Sequence, residues 1–168
     1  MFYYDILKEF HDKSVRYLIV GGLSVNLHGI PRVTQDIDFV IAMDTDNIYR
    51  VIKVMKELDY IPVIPVDAEG LADADIRQQW ISEKNLIAFS FRHQRQAYRT
   101  IDILLVHPLN FDDAYKRKVS RVYRDSEIDI VSIDDLIIMK KFSSRSQDLS
   151  DIKMLNKLKV FLGKADGE

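Results

Sequence analysis

The 168-residue chain has no cysteine, which excludes disulfides, thiolate nucleophiles and cysteine-based zinc sites. Its four histidines, His11, His28, His93 and His107, lack metal-ligand spacing. No apolar stretch is long enough to cross a bilayer. The start, Met1-Phe2-Tyr3-Tyr4-Asp5, lacks the charged-then-apolar layout of a secretory signal. A cytoplasmic protein with no membrane partner is therefore expected. An excess of one charge is also missing: 24 Lys and Arg face 26 Asp and Glu, a net charge of −2. That excludes the broad positive surface of a dedicated nucleic-acid binder, so any such contact has to be local. No repeat, low-complexity tract or linker is visible.

What remains is ordinary globular composition, 47% hydrophobic and 30% charged, enough to build a core. The length suits a single domain over residues 1–168, with a core over about 1–132 and C-terminal helices over about 133–163. Phe2, Ile6, Leu7 and Phe10 recur at helical spacing and predict a helix over 2–13. Tyr17–Val20 reads as a strand stopped by Gly21-Gly22, and Leu23–His28 as a helix ended by Gly29 and Pro31. A strand at Ile37–Ile41, a helix striped by Ile48, Val51, Ile52, Met55 and Leu58, and a strand at 61–64 follow. Residues 65–84 predict a loop and a short helix. Strand pairs are expected at 86–91 with 100–106 and at 119–123 with 128–131, then helices at 134–145 and 150–162. Ile152, Leu155, Leu158 and Leu162 mark the inner face of the last helix. The class is α/β, or α+β in stricter usage: a small mixed sheet with flanking helices and a C-terminal helical pair.

Chemistry concentrates in residues 20–41. Asp36 and Asp38 stand two apart in an apolar run, so on a strand they share one face while Ile37 and Phe39 share the other. Two close carboxylates repel and lose hydration. A hard divalent cation offsets both penalties, and an all-oxygen set suits Mg²⁺. Asp102, between Ile101 and Ile103, adds a third carboxylate if its strand is a neighbour. Such a trio stabilises the attacking and leaving oxygens of an in-line displacement, with Asp102 placed to accept the attacking hydroxyl's proton. The rival reading is a structural salt bridge from Arg32 or Lys53. Gly21-Gly22 ends a strand and opens a helix, a turn that lets backbone amides approach an anion, and Ser24 adds a hydroxyl.

Val20-Gly21-Gly22, then thirteen residues, then Asp36-Ile37-Asp38-Phe39, with a later acidic strand residue, resembles the nucleotidyltransferase superfamily of DNA polymerase beta, kanamycin nucleotidyltransferase and the minimal nucleotidyltransferases. Gly29-Ile-Pro-Arg32-Val-Thr34-Gln-Asp36-Ile-Asp38 is similar to the subgroup of AbiEii-type toxins of type IV toxin–antitoxin systems. So are Asp135-Leu-Ile-Ile-Met-Lys140 and Arg145-Ser-Gln-Asp148-Leu-Ser-Asp151-Ile152. The likeness touches about the first hundred residues and the last thirty.

The resemblance implies that Gly21, Gly22 and Ser24 hold the triphosphate of an NTP. It implies that Asp36, Asp38 and Asp102 bind Mg²⁺ or Mn²⁺. Arg32 and Thr34 contact phosphates, or Arg32 merely neutralises the Asp pair. Lys140 reads more readily as a solvated lysine than as a phosphate ligand, and Asp148 and Asp151 as caps of the last helix. The implied reaction moves an NMP from an NTP to a hydroxyl of an RNA end, a protein side chain or a small molecule. A cognate antitoxin is the implied protein partner. The alternative is a non-catalytic nucleotide-binding or interaction module of a two-component system. Weaker signals are the basic segment Arg92, His93, Arg95 and Arg99, expected to be a solvated hairpin. Trp80 and Tyr98 are expected to pack rather than stack a base, and His28 to be a hydrogen-bonded packing residue.

Overall fold

The computed structural model describes residues 3–165, so Phe2 of the expected first helix lies outside the described residues. Helix α1 (Tyr4–Asp12) buries Ile6, Leu7 and Phe10, the stripe anticipated from their spacing. Strand β1 (Tyr17–Val20) is buried throughout. Helix α2 (Gly21–Leu27) begins directly at the glycine pair, two residues earlier than expected. Strand β2 (Ile37–Ile41) and helix α3 (Thr45–Glu57) fall where the pattern puts them. Asp44 caps α3 by accepting from the Asn47 N–H.

Strand β3 is confined to Tyr60–Pro62. Residues 65–84 hold a 3₁₀ turn (Ala68–Ala72) and the eleven-residue helix α4 (Ala74–Lys84). The Asp73 carboxylate starts α4 by accepting from the N–H groups of Asp75 and Ile76, and left-handed Asn85 ends it. Trp80 is buried there, stacked on Phe89 at 5.4 Å, and so is a packing residue as expected. Strands β4 (Ala88–His93) and β5 (Thr100–Leu104) follow. Helix α5 (Phe111–Lys116) is an addition to the sequence reading, started by an Asn110 cap on too short an apolar pattern to be seen. Strands β6 (Val119–Tyr123) and β7 (Ser126–Ile130) lead into α6 (Ile133–Ser143) and α7 (Ser146–Ala165).

The seven strands form one mixed sheet in the order β3-β4-β5-β2-β1-β7-β6. Strand β2 runs antiparallel to β1 and parallel to β5, while β1 runs parallel to β7. Alternate side chains feed two cores. Ile19, Ile37, Phe39, Phe89, Ile101 and Ile103 pack under α1, α3 and α4. Leu18, Val20 and Val40 face Val25, Leu136 and Leu155 on the other side. Leu155 is fully buried, with Ile152 and Leu158 packed beside it. Leu162 departs from the expected inner face: it is 44% exposed, because α7 runs past the edge of the core. Among the described residues, no helix is long and apolar enough to cross a membrane.

Candidate active site

The second face of the sheet carries the chemistry. Antiparallel pairing sets Val20 opposite Asp38. Parallel pairing sets Asp38 opposite Asp102, with Cα atoms on neighbouring strands about 4.8 Å apart. Strand β4 then sets Ser90 opposite Asp102, and the Ser90 hydroxyl donates to Asp102 Oδ1 at 2.6 Å. No motif marks Ser90 in the sequence. Its signal is a lone hydroxyl between Phe89 and Phe91 in an apolar strand.

Gly21 follows β1 directly, with φ at +64°, a conformation glycine adopts without strain. A Cβ there would lie 1.8 Å from Asp38 Oδ2, so backbone and carboxylate are in direct contact. A Cβ on Gly22 would meet Thr34 Oγ1 at 2.8 Å and Arg32 Nη1 at 3.0 Å. Gly21 therefore meets Asp38, whose strand partner is Asp102, while Gly22 meets Thr34 and Arg32, and Arg32 lines a further cleft with Asp151. Ser24 does not offer its hydroxyl to the cleft: it is fully buried and donates to the Gly21 carbonyl at 2.9 Å, bracing the turn.

Asp36 lies one residue before β2, so strict alternation does not carry it to Asp38's position. It is exposed and lines an adjoining cleft of about 440 Å³ with Thr34, Leu23 and the exposed Tyr98. Asp38 lines a separate cleft of about 360 Å³ with Gly21 and Asp102. Among the described residues, no three His, Asp or Glu side chains stand close enough to enclose a metal ion. Asp38 and Asp36 still feel the neighbouring acids. Burial pushes Asp38 up to about 6, helped by the charges of Asp102 and then Asp36. Burial and then Asp102 also raise Asp36. At Asp38 the charges of Lys140 and Arg145 offset this only in part, and such a pair of oxygen donors fits a hard divalent cation.

The salt-bridge rival fares poorly. Lys53 is exposed and, among the described residues, reaches only Glu57, at 4.0 Å. Arg32 leaves the Asp pair alone and binds Asp151 at 2.8 Å. Lys140 corrects the expectation of a solvated lysine: it is 3% exposed and bonds Asp148 at 3.0 Å and Asp151 at 2.8 Å. Asp148 does cap α7, accepting from the Arg145 N–H at 3.1 Å. It is also fully buried and accepts from Ser143 at 2.6 Å and Arg145 Nε at 3.1 Å. Burial would raise its carboxyl, but hydrogen bonds from Ser143, Lys140 and Arg145 hold it well below the usual carboxylate range. Asp151 is no cap; it joins Lys140 to Arg32 and so ties α6, α7 and the segment before β2 together.

The basic segment is a largely exposed hairpin, as expected, except at Arg99. Arg99 is buried, paired with Asp5 at 2.6 Å and packed over the Tyr3 and Tyr60 rings. Arg92 is exposed, and Arg95 approaches Asp59 at 3.6 Å. His28 Nε2 bonds the Val131 carbonyl at 2.8 Å, and burial lowers its pKa, as fits a packing residue. A larger groove of about 640 Å³ between α3 and α4 lies away from these acids; its Asp67 and Asp73 serve as helix caps.

A glycine turn beside carboxylates on adjacent strands of a mixed sheet marks a nucleotide-handling α/β protein. Residues 5–160 match the family described as nucleotidyltransferase of unknown function (DUF6036), and the chain belongs to that family. It is accordingly a nucleotidyltransferase. No curated protein matches it. Among solved structures it is similar to the lincosamide antibiotic adenylyltransferase LnuA bound to lincomycin, with a TM-score of 0.60 at 20% identity over 92% of this chain and 94% of that one. It is similar to ANT(2")-Ia in complex with adenylyl-2"-tobramycin, with a TM-score of 0.55 at 10% identity over 95% and 91%. An antigenic nucleotidyltransferase-like protein from Paracoccidioides brasiliensis gives 0.52 at 17% identity over 91% and 72%. At these identities the likeness establishes the mixed-sheet fold.

Proposed function

We propose that the chain moves a nucleoside monophosphate from an NTP to a hydroxyl acceptor, with Mg²⁺ or Mn²⁺ held by Asp38 and Asp102 and with Asp36 at the rim. The observation that carries this reading is the in-register pairing of Asp38 with Asp102 beside the Gly21 turn. When bound, the cation supplies charge neutralisation at the phosphates. The amides at Gly21 and Gly22 approach the triphosphate, and Ser24 braces that turn rather than touching it. Arg32 and Thr34, packed on Gly22, stand at the phosphate end. Asp102, oriented by Ser90, accepts the proton of the acceptor hydroxyl. The acceptor oxygen bonds to the α-phosphorus, the bond to the bridging oxygen breaks, and pyrophosphate leaves with the electron pair.

Both antibiotic-modifying neighbours favour a small-molecule acceptor. The toxin–antitoxin role, an antitoxin partner and a cytoplasmic location rest on the sequence motifs and composition alone. The test is transfer from each α-³²P-labelled NTP, with and without Mg²⁺, to lincomycin, tobramycin and RNA. Asp38→Asn and Asp102→Asn are expected to abolish labelling while leaving the circular dichroism spectrum unchanged. Full activity in either variant refutes the mechanism.

A further inference from the structure

The cleft that holds Asp38 and Asp102 continues past them onto an apolar shelf. Gly21, Asp38 and Asp102 step across the ends of β1, β2 and β5 in that order. On the Asp102 side, Ile87, Leu104 and Val106 line the cleft; α6 supplies Leu136, Met139 and Phe142 opposite. Ile87 is 63% exposed and Phe142 57% exposed, so a large apolar side chain stands in water on each lip. Paired apolar lips around a cavity of about 360 Å³ fit a small-molecule site.

Charge narrows the occupant. Among the described residues, Asp38 and Asp102 are the only carboxylates that line this cleft. Of its two cations, Lys140 is buried between Asp148 and Asp151, and Arg145 bonds Asp148 through Nε with its side chain exposed, a single charge. His107, also on the lining, is buried enough to have a lowered pKa and accepts the Leu109 N–H on Nδ1. No acidic wall is left to receive a polycation, and no free row of cations tracks a phosphate chain.

We propose that this shelf seats the acceptor, and that the acceptor is an uncharged small hydroxyl compound with an apolar face. The inference rests on the reading of the site as a nucleotidyl-transfer centre. In an in-line displacement the attacking oxygen enters opposite the departing pyrophosphate. With the phosphates at the Gly21 end, that oxygen comes from the Asp102 side, where the shelf begins. The acceptor hydroxyl gives its proton to Asp102, its oxygen bonds to the α-phosphorus, and pyrophosphate departs at the glycine turn.

The test labels the five methionines with ¹³C-methyl groups and assigns Met139 through Met139→Leu. The full chain, with Mg²⁺ and a non-hydrolysable NTP, is titrated with phenyl β-D-glucoside, methyl β-D-glucoside, tobramycin and a short single-stranded RNA. Phenyl glucoside is expected to shift the Met139 resonance saturably, methyl glucoside about tenfold more weakly, and the other two not at all. Ile87→Asp and Phe142→Asp, both at exposed positions, are expected to weaken the phenyl glucoside about tenfold while NTP affinity stays within about twofold. A Met139 resonance indifferent to phenyl glucoside overturns the assignment. So does one that follows tobramycin or RNA equally, or an NTP affinity that falls in the two variants, which would make the shelf a base site. If wild type binds no NTP in the presence of Mg²⁺, the nucleotidyl-transfer reading fails first; NTP binding with an empty shelf overturns the acceptor class alone.

Discussion

Replacing Asp38 with Asn should make the metal-free protein more stable, a sign opposite to that of most changes at a partly buried polar residue. Asp38 is pushed from 3.8 up to about 6, first by burial and then by Asp102 and Asp36. At about 1.36 kcal/mol per pH unit that rise corresponds to about 3 kcal/mol of penalty for the ionised form. Solvent reaching its partly exposed carboxylate trims this to about 1–3 kcal/mol. An acid whose pKa is raised by folding carries no penalty below its unfolded pKa; the penalty grows from pH 4 to 6 and is complete above 6. Asparagine keeps the shape without the charge. At pH 7.5 in EDTA, Asp38→Asn is therefore expected to melt about 3–10 °C higher than wild type. At pH 4 the two curves should converge. Adding Mg²⁺ with an NTP should raise the wild-type midpoint and leave the variant's nearly unmoved. Thermal unfolding followed by circular dichroism across pH 4–8 measures all three. An equal or lower midpoint for the variant at pH 7.5, or a gap that does not shrink with pH, refutes the account of a site short of positive charge.

Three further changes probe separate parts of the same structure. Gly21→Ala puts a Cβ onto Asp38 Oδ2 at a backbone φ of +64°. It should cost about 1–2 kcal/mol for the backbone alone and abolish NTP binding, read by urea unfolding and titration calorimetry. Lys140→Met leaves Asp148 and Asp151 buried with a shared cation removed. A loss of about 3–5 kcal/mol in urea unfolding is expected, and a change under 1 kcal/mol would show the network to be wetter than argued. Ser90→Ala removes the 2.6 Å donor to Asp102. It should lower kcat about tenfold with little change in NTP affinity, and an unchanged kcat would mean that Asp102 needs no orientation.

Local pattern carried most of the fold. Period-2 alternation at Ile37, Phe39, Ile101 and Ile103 placed the strands and the face that Asp38 and Asp102 occupy. What alternation cannot supply is where a strand begins. Strand β2 starts at Ile37, so Asp36 falls outside the regular pleat and lines the neighbouring cleft instead of standing beside Asp38. Strand order is the other gap. The pairing of β2 with β5 puts Asp102 against Asp38, 64 positions earlier, and nothing near either residue encodes it. The same long-range pairing supplies Ser90, whose role appears only once β4 lies beside β5.

Lys140 shows why charged residues are the hardest to place from sequence. On α6 its neighbours Leu136 and Met139 are buried, yet lysine is among the residues least often found inside. Its burial depends on carboxylates eight and eleven residues on, from another helix. Removing a buried charge from water costs several kcal/mol and is repaid only by well-made bonds. Here one ammonium is matched by two carboxylates, and the second carboxylate is shared with Arg32. Arg32 in turn lies on Gly22. A disturbance of α7 at Asp151 is thus felt at the glycine turn through one ion pair and one close contact. Asp151→Asn should accordingly lower NTP affinity though Asp151 lies outside the Asp38–Asp102 cleft, while Lys159→Ala, exposed farther along α7, should not. Equal NTP affinities for the two variants and wild type, measured by calorimetry, would reduce the network to a structural staple with no hold on the site.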